Sequence, residues 1–407
     1  MAAPPGGRTR KRDLVVFVGA GLLPVPWMLC SQFRGLGLDP VTIAVLSGMA
    51  ILGGAILLAW GTELAERDIP QALAILVLAL VSVLPEYAID LHFAWTAGKD
   101  PSYAPYAVAN MTGANRLLIG LGWAVVVLVY CWRARTNVLE IHPRQSLEIR
   151  FLIWATLYSF LIPLTGTINL FDAAVLLVIF FLYAASAMRS DSEEVELVGP
   201  PALLDREFDD FGRRAWAVGL FAFAAWGILV SAEPFAESLV ELGRSRDIDE
   251  FLLVQWVAPL ASESPEFLIA TLFALRLRGS VGIGALISSK VNQWTLLVGA
   301  IPIAFALSSG SWNGLPLDER QTEELILTSS QSLLAAILIC DLRFTRVEAV
   351  GLALLFGGQF LFTETDVRYF FIAVYLFLSA VLLATSAQRR RTFVGLIVPG
   401  RAGGVRG

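Results

Sequence analysis

Ser-Val-Leu-Pro-Glu at residues 82–86 and Ser-Glu-Ser-Pro-Glu at residues 262–266 decide how this chain folds, because each lies within a long apolar stretch. The proline before each glutamate lacks a backbone N–H and frees a carbonyl group of the preceding helical turn. A carboxylate at membrane depth is costly unless a cation, a proton or a hydrogen-bond network compensates its charge. Two such segments at matching positions in two halves of a chain predict a binding site near the bilayer midplane.

The composition is that of an integral membrane protein. Of the 407 residues, 56% are hydrophobic and only 16% are charged, whereas a soluble protein carries roughly a quarter charged residues. No basic patch interleaved with aromatic residues indicates a nucleic-acid partner, and the three cysteines show neither metal-ligand spacing nor a disulfide pattern. We therefore predict an all-α polytopic membrane protein whose partners are the lipid bilayer and small inorganic cations, with no bound cofactor.

Apolar runs separated by turn and charge signals predict about twelve transmembrane helices. Basic residues at 8–12 precede the first run, 14–30, but no small-residue cleavage site follows, so we interpret this run as an uncleaved helix. With the N-terminus in the cytoplasm, 22 of the 30 Lys and Arg residues fall on the cytoplasmic side and six on the opposite side. This bias predicts that both termini are cytoplasmic, and we expect the protein in the plasma (inner) membrane.

The predicted helices include two five-helix units. Because five is odd, the second unit enters the membrane upside down relative to the first, which is the inverted repeat of many secondary transporters. Four pairs of residues match between the units: Pro85 with Pro265, Glu86 with Glu266, Asn115 with Asn292, and Gly122 with Gly299. The predicted organisation is a basic N-terminus with an extra helix at 1–40, the first repeat at 41–188, an acidic cytoplasmic linker at 189–213, the second repeat at 214–362, and an extra helix with a basic cytoplasmic tail at 363–407.

Glu86 and Glu266 are the strongest candidates for cation binding and are the predicted metal ligands. Carbonyl groups freed by the adjacent prolines can join their carboxylates as hard ligands for Na⁺ or Ca²⁺. Ser82 and Ser262 lie four residues earlier on the same helix face, where each can add a hydroxyl ligand. A single Pro-Glu pair is equally typical of a helix end at the membrane surface. Two symmetry-matched pairs within apolar runs favour a binding site.

Further polar residues accompany the two glutamates. Glu263 and Asp90 lie within about one turn of them and are candidate cation ligands or proton relays, although Asp90, beside His92, is equally compatible with an aqueous mouth. Polar clusters in the following helices can supply neutral ligands, tune the charge of the site or hold helices together: Asn110, Thr112, Asn115 and Arg116, and then Ser289, Lys290, Asn292 and Gln293. An acidic stripe at four-residue spacing is typical of a water-filled vestibule: Glu233, Glu237 and Glu241.

At the Pro-Glu segments the chain resembles the Ca²⁺:cation antiporter superfamily, which includes the sodium/calcium exchangers. Each of that family's two inverted repeats carries Ser/Thr-x-x-Pro-Glu and, after a loop, Gly-Ser-Asn-x-x-Asn/Asp. Here the first motif stands twice, and the second is partly present at 113–115 and 288–290. The resemblance covers 41–134 and 214–308 in detail. It implies a ten-helix core, alternating access, and a central site with Glu86 and Glu266 as cation ligands and Ser82 and Ser262 as their hydroxyl partners.

Two basic residues, Arg116 and Lys290, depart from the family's pattern. Counting back from the shared glycines puts Arg116 and Gln293 where the family has Asn or Asp, and Lys290 is close by. At an effective dielectric near 20, a unit charge about 4 Å from a cation contributes on the order of 4 kcal/mol, and twice that for a divalent ion. If Arg116 and Lys290 face the site, they favour monovalent cation/proton exchange over Ca²⁺ binding. If they reach an aqueous cavity instead, the exchanger interpretation stands.

These observations predict a secondary active cation antiporter, sodium/calcium exchanger-like, that moves Na⁺, Ca²⁺ or H⁺ by alternating access. A sodium/proton antiporter is the alternative, and a non-transporting sensor or an intramembrane enzyme is less favoured. An enzyme would use Glu86 and Glu266 as an acid/base pair, but no hydrolase signature supports it, since Gly-Leu-Gly-Leu-Asp at 35–39 is not the Gly-x-Gly-Asp of intramembrane aspartyl proteases. The exchanged ion pair, the stoichiometry and the oligomeric state stay open.

Overall fold

The computed structural model describes residues 7–32, 37–65, 68, 84–189, 197, 199–362 and 364–398. Most of these residues are helical, as the apolar runs predict. The α-helices are α1 (Gly7–Leu22), α2 (Val25–Cys30), α3 (Pro40–Ala65), α4 (Leu84–Ala97), α5 (Ala104–Leu117), α6 (Ala124–Ala134), α7 (Ser146–Ser159), α8 (Leu170–Ala187), α9 (Pro200–Glu207), α10 (Asp210–Arg246), α11 (Glu250–Leu275), α12 (Gly279–Asn292), α13 (Val298–Ser309), α14 (Glu319–Ile339), α15 (Arg346–Leu361), α16 (Thr365–Thr385) and α17 (Ala387–Ile397). The other elements are the π-helical turns π1 (Leu118–Trp123) and π2 (Gln293–Leu297) and the strands β1 (Val138–Glu140), β2 (Thr167–Ile168), β3 (Leu315–Pro316) and β4 (Arg343–Thr345).

Nine helical stretches in the described part of the chain are long and apolar enough to cross a membrane. They are 10–30, 40–65, 101–134, 143–165, 170–187, 210–246, 279–309, 319–339 and 365–385. Three predicted spans are not among them, each for its own reason. Much of 71–98 lies outside the described residues, the polar Pro-Glu segment lowers the hydropathy of α11, and α15 has only 16 residues. The number twelve therefore stays a prediction.

Two segments differ locally from the predicted boundaries. The run 14–30 forms two helices, since helical geometry lapses at Leu23 and Pro24, and α1 already includes the basic residues from Arg8 onward. Within the acidic linker, α9 places Leu204 in a core with residues of α3 and α10, so the linker is more than a surface connection. α10 begins at Asp210, before the predicted position 214, because the Asp209 carboxylate caps it by accepting the Gly212 N–H at 2.9 Å.

The chain forms two compact units. The first contains residues 1–92 and 184–265, and the second contains 93–183 and 266–407. The chain passes from one unit to the other inside α4 after His92, inside α8 after Tyr183, and inside α11 after Pro265.

In the first unit, α3 and α10 pack closely along their length through small residues. A Cβ added to Gly54 would lie 2.8 Å from Ile228 Cγ1, and one added to Gly61 would lie 3.3 Å from Leu220 Cβ. Glycine at such positions lets two membrane helices approach until their backbones nearly touch. Beside this contact, Asp68 accepts hydrogen bonds from Arg213 and Arg214 at the start of α10, and these bonds, that of Arg213 above all, hold the pKa of the Asp68 carboxyl below its usual range.

In the second unit, two short antiparallel ribbons tie connections between helices together. β1 pairs with β4, which places Leu139 opposite Phe344, and β2 pairs with β3, which places Ile168 opposite Leu315. All four of these side chains are fully buried. Each ribbon joins a segment before residue 170 to a segment after residue 314, so the ribbons hold sequence-distant helices of this unit in one arrangement.

Candidate cation-binding site

Both Pro-Glu segments belong to helices, α4 and α11, in the described part of the chain. Pro85 and Glu86 stand in the first turn of α4, and Glu86 is only 2% exposed. Pro265 is an interior residue of α11, which stays helical from Glu250 to Leu275 instead of ending at the proline. A single proline removes one backbone hydrogen bond, here the one to the Ala261 carbonyl, and the flanking turns keep theirs. Ser82 lies outside the described residues.

In the first unit, buried acidic groups accompany Glu86. Asp90 is fully buried and Glu263 is 2% exposed. The Tyr87 phenol interacts electrostatically with both Glu86 and Asp90, its neighbours on α4. Ser262 is also buried, and its hydroxyl donates to the Ala258 carbonyl at 3.2 Å. Because that bond uses the hydroxyl hydrogen, the lone pairs of the oxygen can still coordinate a cation.

His92 connects α4 to the acidic stripe of α10. Its Nε2 lies 2.9 Å from Glu237 Oε1, and the Glu237 side chain is 40% exposed. Asp90, less than one turn earlier, is fully buried. The aqueous-mouth interpretation therefore suits His92 and Glu237, whereas Asp90 lies with the buried acids.

In the second unit, Glu266 lies close to Ser289 of α12, and the two side chains interact electrostatically. Glu266 Oε2 is buried and has no hydrogen-bond partner among the described residues. The next residue, Phe267, packs over Gly122 of π1, where an added Cβ would lie 2.7 Å from the ring. Gly122 belongs to the pairs matched between the repeats, and its missing side chain is what lets π1 approach α11 beside Glu266.

The polar side chains after each Pro-Glu segment are buried in α5, α12 and π2. They are Asn110, Thr112, Asn115 and Arg116, followed by Ser289, Lys290, Asn292 and Gln293. Thr112 Oγ1 donates to the Val108 carbonyl at 2.7 Å, and Asn115 Nδ2 donates to the Met111 carbonyl at 2.7 Å. The Thr112 hydroxyl and one N–H of the Asn115 amide each donate within their own helix. The lone pairs of the two side-chain oxygens can therefore accept from other groups.

Asn115 and Lys290 are brought together within the second unit. Lys290 Nζ donates to Asn115 Oδ1 at 2.5 Å and lies 4.2 Å from the centroid of the Trp294 ring. The lysine side chain is fully buried. An amide oxygen and the face of an indole ring both attract cations.

Arg116 has a different partner, which the sequence did not reveal. Its Nη2 lies 2.5 Å from Glu324 Oε2 on α14. Arg368 of α16 lies 2.6 Å from Glu323 Oε2 and 4.0 Å from Glu324 Oε1. All four side chains are at least 91% buried, so two arginines and two glutamates offset each other inside this unit. The sequence signal that could have indicated this group of charges is the adjacent pair Glu323 and Glu324 at the edge of a predicted span.

π1 and π2 follow these polar clusters at similar positions of the two repeats. Gln331 of α14 donates its amide to the Arg116 carbonyl at 3.1 Å, two residues before π1, and Gln359 donates to Gln331 Oε1 at 2.7 Å. π-Helical turns inside α-helices occur frequently at functional sites. Neither the π turns nor the glutamine chain was predicted from the sequence.

Within each unit the arrangement suits hard cations and protons. The described residues hold no group of three or more His, Cys, Asp or Glu side chains placed to bind a metal ion within that set. Buried carboxylates such as Glu86 nevertheless require a counter-charge or a proton. Hydroxyl and amide oxygens, such as those of Ser262 in the first unit and Asn115 in the second, are typical ligands of Na⁺ and Ca²⁺.

Comparisons with known proteins agree with the resemblance at the Pro-Glu segments. A family model described as sodium/calcium exchanger protein matches residues 39–189 and 216–364. The crystal structure of the H⁺/Ca²⁺ exchanger CAX is 43% identical, with 95% of this chain and 97% of that chain covered and a TM-score of 0.90. A comparison with curated proteins gives no match.

More distant structures share the fold alone. The sodium-calcium exchanger NCX_Mj is 17% identical over 80% of this chain and 99% of that chain, with a TM-score of 0.54. Native YfkE is 13% identical over 90% of this chain and 99% of that chain, with a TM-score of 0.61. The predicted all-α transporter fold is confirmed. The chain is an integral membrane cation antiporter that belongs to the sodium/calcium exchanger protein family, within the Ca²⁺:cation antiporter superfamily.

Proposed function

We propose that this antiporter exchanges Ca²⁺ for H⁺ by alternating access. The observation that carries the proposal is the similarity to the H⁺/Ca²⁺ exchanger CAX, which is 43% identical and extends over 95% of the chain. Glu86 and Glu266 are the proposed carboxylate ligands, with Ser82 and Ser262 as hydroxyl partners.

Buried carboxylates explain why the two ions would replace each other. A carboxylate binds Ca²⁺ in its ionised form and loses that capacity when it is protonated. Ca²⁺ takes about six to eight oxygen ligands at about 2.3–2.6 Å, and Glu86, only 2% exposed, has little water to stabilise an unoccupied charge. Each glutamate is therefore stable with Ca²⁺ or with a proton, which favours exchange over leakage. Asp90 and Glu263 are proposed as additional ligands or proton relays.

The electrostatic objection raised by Arg116 is weakened by its ion pair. The Glu324 carboxylate, 2.5 Å from Arg116 Nη2, makes the pair neutral overall. A neutral pair acts on a distant cation as a dipole, whose field falls off faster than that of the isolated charge. Arg116 is thus compatible with a divalent cargo, and its proposed role shifts from charge tuning to the support of α5.

Sodium-coupled exchange is the second candidate, since the matching family model is described as sodium/calcium exchanger protein. Purified protein in proteoliposomes separates the two. Uptake of radiolabelled Ca²⁺ is measured against an imposed H⁺ gradient and, separately, against an imposed Na⁺ gradient. We expect uptake with the H⁺ gradient alone. If uptake requires the Na⁺ gradient, the coupling ion is Na⁺ and not H⁺. If neither gradient drives Ca²⁺ uptake, the proposal is contradicted.

The carboxylates are tested in the same assay. Glu86→Gln and Glu266→Gln should each abolish Ca²⁺ uptake. The amide has no negative charge to bind Ca²⁺ and no acidic proton to exchange for it. Glu319→Gln changes an exposed glutamate at the start of α14 and should leave uptake unchanged. Normal uptake in both site variants would remove these residues from the proposed site.

We further propose the predicted topology, with inverted repeats, both termini in the cytoplasm and the protein in the plasma membrane. The excess of Lys and Arg on one side of the predicted helices supports it. Cysteines introduced at Arg144 and Asn313, in a variant without the native cysteines, test it in intact cells. An impermeant maleimide should label position 313 but not 144, and the reverse pattern would contradict this orientation.

A further inference from the structure

Lys290 is a fully buried lysine inside a candidate membrane span. It lies on α12 within the span 279–309 and is fully buried. A charged side chain at such a depth is rare and marks a functional site by default. The packing of α12 against α11 does not require a lysine at position 290, since α12 has small residues where the two helices cross. At Gly282, for example, an added Cβ would lie 2.5 Å from the Ala270 carbonyl oxygen.

The ammonium is held by groups that also bind metal cations. Lys290 Nζ lies 2.5 Å from Asn115 Oδ1 and 4.2 Å from the Trp294 ring centroid. An amide oxygen that accepts a hydrogen bond from an ammonium group is also a ligand type that hard metal cations take. Because Asn115 Nδ2 is bound to the Met111 carbonyl at 2.7 Å, the amide oxygen points away from its own helix turn. Nζ therefore sits where a metal cation bound to that oxygen would sit.

The internal repeat shows that this cation is peculiar to one half. The motif segments 113–115 and 288–290 place Asn115 opposite Lys290, and the pairs Asn115 with Asn292 and Gly122 with Gly299 place Gly113 there. In either alignment the first copy has an uncharged residue at the position where the second copy has a tethered charge. The residue before Lys290, Ser289, interacts with Glu266, so the proposed carboxylate ligand lies against the same helix, α12, that carries Lys290.

We propose that the Lys290 ammonium is a tethered substitute for a transported monovalent cation. It fills a cation subsite built on Asn115 Oδ1 and the Trp294 ring, and so makes Na⁺ unnecessary for Ca²⁺ exchange. Lys290 is then a specificity-determining residue: its fixed charge performs the role of a bound Na⁺ and never leaves the protein. This inference rests on the proposed exchange of Ca²⁺ for H⁺.

Two substitutions distinguish an opened subsite from a filled one. Lys290→Ala removes both the charge and its volume, so that Na⁺ can reach Asn115 Oδ1. Lys290→Met removes the charge but retains most of the volume, so that Na⁺ cannot enter. Lys99→Ala is the matched control, since Lys99 also lies over an indole ring, 5.5 Å from the Trp95 centroid, but at an exposed position.

The first test measures Ca²⁺ uptake driven by a H⁺ gradient, with equal Na⁺ or choline on both sides of the membrane. We expect about 100 mM Na⁺ to stimulate the Lys290→Ala variant about tenfold or more, because its vacated subsite must be refilled. The wild type, Lys290→Met and Lys99→Ala should respond less than about twofold. Stimulation of the wild type by Na⁺, or a Lys290→Ala variant indifferent to Na⁺, would overturn the inference.

The second test does not depend on transport. In detergent, Na⁺ but not choline should raise the melting temperature of Lys290→Ala by about 2 °C or more, and should not raise that of the wild type or Lys290→Met. An equal rise in all three proteins, or no rise in Lys290→Ala, would refute the subsite. Lys290→Ser replaces the alanine variant if that protein is not recovered. Absent Ca²⁺ flux in the wild type would contradict the proposed function, while this assay would still decide the role of Lys290.

Discussion

Glu324→Gln removes the negative partner of an arginine that lies 98% buried in the second unit. Removing one member of a buried ion pair costs about 3–5 kcal/mol, because the other charge is left uncompensated away from water. We expect a loss of this size in the free energy of unfolding, measured by denaturant titration in detergent micelles. Arg116→Gln should cost less, about 1–3 kcal/mol, because Glu324 retains Arg368 at 4.0 Å.

The double variant makes the prediction quantitative. Arg116→Gln combined with Glu324→Gln leaves neither charge unpaired, so its cost should be smaller than the sum of the single costs by about 2 kcal/mol. Glu319→Gln, on an exposed turn of the same helix, serves as the control and should change stability by less than about 0.5 kcal/mol. Additive single effects, or single effects no larger than that of the control, would show that this contact is not an energetically coupled ion pair.

Three further perturbations follow from particular contacts. Gly122→Val should destabilise the protein by about 1–3 kcal/mol in a denaturant titration and reduce Ca²⁺ uptake, since even a Cβ there would lie 2.7 Å from the Phe267 ring. Gln331→Leu should cost about 1–3 kcal/mol, because the Arg116 carbonyl loses its amide donor at 3.1 Å. Asp68→Asn should reduce the fall in stability on acidification. The lowered pKa of Asp68 contributes stability above the pKa of the unfolded chain, near pH 4, and this stability is lost as the pH falls through the folded-state pKa.

Each perturbation has its own control. Gly219→Ala places a methyl group where nothing lies within 4 Å and should not destabilise the protein, so an equal loss would contradict the packing argument for Gly122. Gln388→Leu alters an exposed glutamine, and a cost equal to that of Gln331→Leu would remove the special role of the Arg116 carbonyl. If Asp68→Asn and the wild type have the same pH dependence of melting temperature, the bonds from α10 do not hold the Asp68 charge.

The all-α fold and the family could be predicted from local features of the sequence. Apolar runs of spanning length determine the class, and the duplicated Pro-Glu segments carry the resemblance that the comparisons confirm. Each apolar run and each Pro-Glu segment is recognised from residues that are close to one another in the chain. The burial of Glu86 and Glu263 was likewise foreseeable, because a carboxylate within a long apolar stretch has few exposed positions to occupy, whereas Asp90 was equally compatible with an aqueous mouth and is buried.

Pairings between distant segments could not be predicted in this way. From the sequence, Arg116 could face either the cation site or an aqueous cavity, and its partner, Glu324, lies 208 residues later in the sequence. Composition and spacing contain no information on which of many polar residues meet across helices. Pro265 does not end α11, because the loss of one hydrogen bond is smaller than the stabilisation that the flanking turns and packing supply.

The most direct test of Ca²⁺/H⁺ exchange is to record both ions in one vesicle preparation. Proteoliposomes containing a pH dye and a Ca²⁺ dye receive external Ca²⁺ with no H⁺ or Na⁺ gradient imposed. We predict that the wild type takes up Ca²⁺ and expels protons with the same time course, and that Glu86→Gln and Glu266→Gln do neither. Ca²⁺ entry without any proton movement, or coupled movement that persists in both variants, would contradict the proposed exchange at these two glutamates.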